Sequence, residues 1–500
     1  MSEFQRELVR MESISKAFPG VQALKNIHVT IHAGEVHALV GENGAGKSTL
    51  IKILMGVCPK DQGDIFIEGK SVEIHSPMQA KAHGLGAVYQ DINIARHLSV
   101  GENFFLGNLP VKTTGLIDWK QVYDVTSQTL QNLDIFIDPR TLVKQLSPAK
   151  QEMVTIAKAV HQNSKLLVFD EPTALLATEE VDELFALIRK LQANQVGIIY
   201  ISHRLEEIFT ICDTVTVLKD GEWVDTLPVA STNEDELIRK MVGRTIEEMY
   251  AIQHPDRGKK VLEIRGLSKD GKFEDVSFDL HAGEVVGLFG LVGSGRTDIV
   301  RAIFGADAFD AGEVLVHGDP VEIHSPVDGI AHHIGLLPED RKQQGLALSL
   351  SVGMNVNLSS YDTISRWGVI NLQQERQRAE QYIRDLRIVT PSLRQKVENL
   401  SGGNQQKVVI GKWLCRDSDI FIFDEPTVGV DVGAKVEIYK LIENLLAQGH
   451  AIIFISSYLP EIMGLADRII VIHEGRISGA LRAGEYDEEA ILRLASGITN

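Results

Sequence analysis

The pentapeptide HAGEV occurs at residues 32–36 and again at 281–285, and the hexapeptide VEIHSP at 72–77 and again at 321–326. Both pairs stand 249 positions apart. Two identical peptides at one offset mark an internal duplication, and nothing else in the chain restricts its architecture as much. Further along the offset becomes 254: QLSPAKQ (145–151) aligns with NLSGGNQ (399–405), and VFDEPT (168–173) with IFDEPT (422–427). A long unit written twice predicts two tandem domains rather than a solenoid of short repeats. A chain of 500 residues is also too long for a single core. The domains are expected at 1–245 and 261–500, joined by a linker at 246–260. That linker contains MYAIQHPDRGKK (249–260), a polar stretch without hydrophobic periodicity.

Each unit reads as α/β. VHALV (36–40) and VVGLF (285–289) are short apolar runs that end in a glycine-rich turn and lead into a helix. KLLVFD (165–170) and DIFIFD (419–424) read as buried strands closed by a carboxylate. After the first of these, Val181, Leu184, Ile188 and Leu191 recur at helical spacing. Strands alternating with helices predict a mainly parallel sheet with flanking crossover helices. Ligands of such sheets bind at the carboxyl ends of strands, where both motifs fall.

Composition narrows the partners. With 68 acidic against 50 basic side chains the net charge is −18, which makes nucleic acid a poor candidate. Cys58, Cys212 and Cys415 show neither metal spacing nor a disulfide framework, so each is expected to be a small core residue in a reducing compartment. The opening MSEFQRELVR lacks the apolar core of a signal peptide. The longest apolar runs, such as VGIIYIS and AIIFIS, are strand-length and fall short of a membrane span. The chain is expected in the cytosol, with any membrane role carried by a partner.

GENGAGKST (41–49) matches G-x-x-x-x-G-K-[ST] between a predicted strand and a predicted helix. Gly41, Gly44 and Gly46 let backbone N–H groups turn inward on phosphates, with Glu42, Asn43, Ala45 and Thr49 completing the cradle at the helix N-terminus. Lys47 places a point charge on the β and γ phosphates, and the Ser48 hydroxyl can ligate Mg²⁺. A glycine-rich turn without a ligand is the plainer alternative, and the strand–helix context argues against it. Asp170 ends an apolar strand where a carboxylate reaches the metal, and Glu171 beside it can polarise the attacking water. A strand-end acid capping the next helix would explain one such pair, but not an identical DEPT in both halves. His203, in YISHRLEE, is a candidate γ-phosphate contact, although a lone histidine is more often structural.

The order GENGAGKST, Gln90, LSPAK, LLVFDEPT and ISH, with LSGGNQQK (400–407) in the second half, resembles an ABC-transporter ATPase over nearly the whole chain. The resemblance implies tandem P-loop NTPase domains, each with a helical subdomain and a small antiparallel β region beside its parallel sheet. It implies that the two domains sandwich ATP head-to-tail, the P-loop of one facing the signature of the other. It further implies that Gln90 senses Mg²⁺ and the membrane partner, and that Phe18 stacks on adenine. Taken alone, Phe18 reads as a core or turn residue.

The second half carries the same parts with substitutions. GLVGSGRTD (290–298) keeps Gly290, Gly293 and Gly295 but has Arg296 for Lys47 and Thr297 for Ser48. Glu339, in LLPEDRKQQG, stands for Gln90 and Ser457 for His203, while Asp424 and Glu425 are retained. No clear aromatic matches Phe18. The signatures show the opposite pattern: half two has Ser401, Gly402 and Gly403, whereas half one has Pro148 and Ala149, which keep a backbone from approaching phosphate as closely. The loop after DEPT reads VGVD with Asp431 in half two, and ALLA with Ala177 in half one. Under a head-to-tail arrangement these changes sort. Lys47, Gln90, Asp170, Glu171 and His203 join Ser401, Gly402, Gly403 and Asp431 in one complete site. Arg296, Glu339 and Ser457 fall with Pro148, Ala149 and Ala177 in the other. A planar guanidinium spreads its charge where a P-loop is shaped around a compact ammonium. The second site is therefore expected to hold nucleotide and to hydrolyse it slowly or not at all.

Both ATPase domains in one chain, the P-loop arginine, PEDRKQQG, FPGVQAL, VDVGAKVEIYKLIE and the closing EEAILRLASG resemble the ATP-binding subunits of bacterial monosaccharide importers, the ribose, galactose and xylose group. That resemblance implies an ATPase using ATP and Mg²⁺ as a peripheral protein on the cytoplasmic face of the inner membrane. It also implies two integral-membrane permease subunits engaged through helical regions near 95–160 and 345–415, and a periplasmic sugar-binding protein acting indirectly. A soluble twin-domain ABC ATPase acting on the ribosome or nucleic acid is the competing reading. It would carry two intact sites, a long charged linker and basic character. A non-enzymatic nucleotide switch conflicts with the presence of both Glu171 and His203.

Overall fold

Val36–Val40 and Val285–Phe289 are buried at every position, as strands covered on both faces by helices must be. Each is the centre of its own core sheet in a computed structural model that describes residues 6–498, apart from 89–93, 162–163, 174–175, 177, 203, 244–245, 251, 292 and 431. The chain divides into two compact units, Met1–Thr245 and Ile246–Asn500. In the first, Leu85–Val88, Leu166–Asp170, Gly197–Ile201, Val36–Val40 and Thr214–Lys219 lie side by side and parallel, followed by Glu222–Pro228, antiparallel to the last of them. The second repeats that order with Ile334–Leu337, Ile420–Asp424, Ala451–Ile455, Val285–Phe289, Arg468–His473 and Arg476–Arg482.

An antiparallel layer precedes each core. Glu7–Phe18, Val21–His32, Gln62–Ile67 and Lys70–Val72 form it in unit one, where a pairing of Lys25 with Glu222 makes it continuous with the core sheet. In unit two Lys260–Lys269, Phe273–His281, Ala311–Val316 and Asp319–Val321 form a separate four-stranded sheet. Helices Val100–Phe104, Trp119–Asn132 and Pro148–His161 make up the helical part of unit one; Val352–Asn357, Leu372–Asp385 and Gly402–Leu414 are their counterparts. Both parts are pinned by the same device. The buried amides of Asn103 and Asn355 each donate to two backbone carbonyls, those of Ala95 and Ser99 in one unit and of Ala347 and Ser351 in the other.

The expected linker at 246–260 is instead packed onto unit two. Ile246–Tyr250 is a helical turn whose Met249 and Tyr250 are buried, the Tyr250 ring lying 5.3 Å from that of Tyr439. Beyond it Gln253 N donates to Glu443 Oε1 at 3.0 Å, His254 pairs with Asp467 at 3.0 Å, and Gly258 N donates to Ala282 O at 2.9 Å. Two of these contacts are made by backbone amides and one by the His254 side chain, and Glu443 and Asp467 lie far along the chain from the residues they receive. Cys212 and Cys415 are buried and Cys58 half-buried, all as free thiols. Among the described residues no helix is long and apolar enough to cross a membrane.

Candidate nucleotide site

In unit one the central strand delivers the chain into the glycine loop, and helix Lys47–Leu54 begins at its end. Close approach dictates two of the glycines. A Cβ on Gly41 would lie 2.2 Å from the Leu218 carbonyl oxygen, and one on Gly46, at φ 98°, would lie 2.4 Å from Leu24 Cδ2. The Lys47 ammonium curls back over the loop, donating to Gly41 O at 2.6 Å and Glu42 O at 3.0 Å. Asn43, Gly44 and Ser48 are exposed, Thr49 is half-buried and Ala45 anchors the loop in the core.

Asp170 ends its strand beneath this loop. Burial pushes its carboxyl above the usual range, the neighbouring charge of Glu171 adds to that, and Lys47 and Lys52 oppose it. Glu171 sits in the left-handed region at φ 52°, its N–H donating to Ile201 O at 2.9 Å. An acidic residue held there is a local strain of the kind found where function fixes the backbone. Phe18 is 45% exposed at the end of its strand, with the Lys16 ammonium 5.5 Å from the ring centre. Gln90, Ala177, His203 and Asp431 lie outside the described residues.

Unit two assembles the corresponding groups differently. Gly293 and Gly295 again take positive φ, and Gly290 leaves no room for a Cβ, which would lie 2.3 Å from Ile472 O. Arg296, only 10% exposed, reaches the groups at the strand ends. Its Nη1 donates to Ser456 O at 3.0 Å and its Nη2 lies 3.7 Å from Glu425 Oε1. Thr297 Oγ1 donates to Asp424 Oδ1 at 3.2 Å, and Ser457 Oγ to Glu425 Oε2 at 3.2 Å. Burial raises both acids, Asp424 to about 6 and Glu425 to about 7, although Arg296 pulls each of them down. Glu339 is exposed, and its charge raises Asp424 further. Glu425 repeats the left-handed backbone of Glu171, at φ 48°.

The signature of unit two begins at Ser401, the N-cap of Gly402–Leu414, whose hydroxyl accepts from Asn404 Nδ2 at 2.9 Å. Gly402 and Gly403 are packed from behind: a Cβ on the first would lie 2.7 Å from Arg341 Nη2, and one on the second 2.8 Å from Ala434 Cβ. In unit one Pro148 opens the matching helix, Ala149 is buried, and Ser147 Oγ accepts from Lys150 N at 3.3 Å.

Residues 24–174 and 273–428 match the family model described as ABC transporter. The chain belongs to the ABC transporter family. This ABC protein is 48% identical over 489 residues to a ribose import ATP-binding protein of Streptomyces avermitilis, covering 98% of this chain and 93% of that one. It is 49% identical over 492 residues to a putative ribose/galactose/methyl galactoside import ATP-binding protein of Burkholderia ambifaria, covering 98% and 96%. A ribose import ATP-binding protein of Geobacillus kaustophilus is 46% identical, covering 98% and 99%. Among solved structures, the ADP conformation of an ABC-transporter ATP-binding cassette overlaps 48% of this chain and 99% of its own, at 24% identity and a TM-score of 0.43.

Two groups of this ABC protein escaped the reading of motifs. Arg341, at the start of a single π-type turn Arg341–Gly345, donates to Val428 O at 2.9 Å and Gly429 O at 3.3 Å, tying the PEDRKQQG loop to the loop after Thr427. Glu207 and Glu461 are buried carboxylates behind the two DEPT loops. Aligning ISHRLEE with ISSYLPE would have exposed the second pair, because both glutamates sit five residues beyond the strand-end serine.

Proposed function

We propose that this ABC protein hydrolyses ATP to drive import of a monosaccharide or related small sugar or polyol through two membrane permease subunits, with a periplasmic sugar-binding protein upstream. The near full-length likeness to sugar-import ATP-binding proteins supports the cargo class. It would sit on the cytoplasmic face of the inner membrane as a peripheral protein, its two domains closing head-to-tail around nucleotide.

The observation that carries the division of labour is the guanidinium of Arg296, held between the Ser456 carbonyl and the Glu425 carboxylate. The acid that would polarise water in the second half thus lies beside a cation, which draws it down, while burial still raises it to about 7. In the first half the Lys47 ammonium donates to the Gly41 and Glu42 carbonyls, within the loop that would cradle phosphate. Lys47 would bind the β and γ phosphates, Phe18 would stack on the base, and the 41–49 backbone would orient the chain of phosphates. Glu171 would orient and polarise the attacking water, and His203 would hold the γ-phosphate. Ser401, Gly402, Gly403 and Asp431 of the second half would close over it.

The oxygen donors suit Mg²⁺, since the Thr297–Asp424 hydrogen bond shows that the P-loop hydroxyl and the strand-end carboxylate meet at one point. Ser48, Asp170 and Gln90 would hold the ion in the first half, where it would neutralise charge on the β and γ oxygens.

Single-turnover hydrolysis by Lys47→Ala and Arg296→Ala chains tests the proposal. The lysine variant is expected to lose about 100-fold or more in rate, and the arginine variant less than about 3-fold. Equal losses would overturn the asymmetry.

A further inference from the structure

Glu171 follows the end of one core strand of unit one, and His203 lies two residues beyond the end of the next, Gly197–Ile201. Behind both loops is Glu207, 5% exposed on the first turn of Leu205–Ile211. Its Oε1 accepts from Thr173 Oγ1 at 2.6 Å, and its Oε2 accepts from Ser202 Oγ at 2.7 Å and Tyr200 OH at 2.8 Å. Thr173 lies two residues past Glu171, and Ser202 immediately precedes His203. One carboxylate thus fastens together the two loops on which the chemistry depends. Arg204 adds a longer contact at 3.7 Å.

Unit two builds the same knot from different parts. Glu461, fully buried, accepts from Thr427 Oγ1 at 3.1 Å, from Ser456 Oγ, and from Tyr439 OH at 2.7 Å. At the offset of 254 that aligns the two DEPT loops, Tyr200 corresponds to Phe454, and Tyr439 corresponds to Phe185. The phenol arrives from the strand in one unit and from helix Val432–Ala447 in the other. In each unit a phenylalanine holds the sequence position from which no phenol comes, and Phe185 stands edge-on to Tyr200 at 6.4 Å. If bulk alone mattered, two phenylalanines would serve. What both halves retain is three hydroxyl donors on a buried carboxylate, and each donor lost leaves the buried charge less compensated.

We propose that Glu207 is a positioning residue for ATP hydrolysis, holding the Glu171 and His203 loops in register, and that it requires a third hydroxyl donor which either wall can supply. The proposal rests on the reading of unit one as the bearer of the working P-loop.

The test uses the full chain, with single-turnover ATP hydrolysis measured beside binding of trinitrophenyl-ATP. Glu207→Gln is expected to lower the rate about 100-fold and Tyr200→Phe about 5- to 10-fold, both with binding within about 2-fold of the parent. Adding Phe185→Tyr to Tyr200→Phe, which copies the arrangement of unit two, is expected to restore the rate to within about 2-fold. A merely structural role would lower rate and binding together in proportion to the fraction folded. That outcome, an unchanged rate in Tyr200→Phe, or a double variant no better than the single one, would overturn the proposal. Failure of the underlying reading is separable: a Lys47→Ala chain that still hydrolyses ATP has its working site elsewhere, whatever the Glu207 variants do.

Discussion

Glu425 is held at φ 48° between the Arg296 guanidinium and the Ser457 hydroxyl, and burial still raises it to about 7. An unfolded glutamate titrates near 4.3, so between about pH 4 and 7 the folded unit keeps protons that the unfolded chain has released. Stability therefore falls as pH rises through that window, and Asp424, raised to about 6, adds to the slope. Replacing Glu425 with glutamine removes the cost of ionising a buried acid. It is expected to stabilise unit two by about 1–3 kcal/mol at pH 8 and by little at pH 4, read from urea unfolding. An equal gain at both pH values would contradict the assignment. At the first site, if Glu171 polarises water as proposed, Glu171→Gln is expected to leave ATP binding within about 3-fold while hydrolysis falls about 100-fold or more.

Elements whose signals are local were legible from the sequence. The P-loops needed only a strand, glycines at fixed spacing and a helix, and the two core strands Leu166–Asp170 and Ile420–Asp424 fall within the runs that predicted them. Elements defined by distant partners were not. The turn Ile246–Tyr250 looked like a linker because Tyr439, Glu443 and Asp467, which receive it and the stretch that follows, lie about two hundred residues further on. Tyr250→Ala is accordingly expected to cost unit two about 2–4 kcal/mol in denaturant unfolding, as for a core aromatic, where a true linker residue would cost almost nothing. The PEDRKQQG loop announced a carboxylate, Glu339, but not its strut. Arg341 braces the loop after Thr427, while the buried Lys412 ammonium donates to Gly345 O at 2.9 Å and ties the signature helix to the other end of the π-type turn. A loop expected to respond to a membrane partner is thus joined at both ends to elements that unit two would contribute to the working site.

For the molecule as a whole, the duplication was readable because two peptides survived unchanged, and the head-to-tail proposal can be examined through two matched serines. Ser147 and Ser401 both stand at the start of a signature helix, the Ser147 hydroxyl accepting from Lys150 N and the Ser401 hydroxyl from Asn404 Nδ2, so each alanine variant is expected to lose at most about 1 kcal/mol of stability. Ser401→Ala is expected to slow single-turnover hydrolysis at the Lys47 site at least about 10-fold, and Ser147→Ala less than about 2-fold. The reverse ranking would mean that each unit closes its own site. The exchange of Tyr200 and Phe454 against Phe185 and Tyr439 also bears on how such a gene can change. Recombination between its two copies, with a breakpoint anywhere between codons 185 and 200 and their equivalents, joins the first wall of one copy to the second wall of the other. Each product then carries two phenylalanines or two tyrosines around a glutamate fitted for one phenol. Under the positioning proposal, gene conversion whose tract ends inside that interval is expected to be penalised, whereas one that carries both walls together is not.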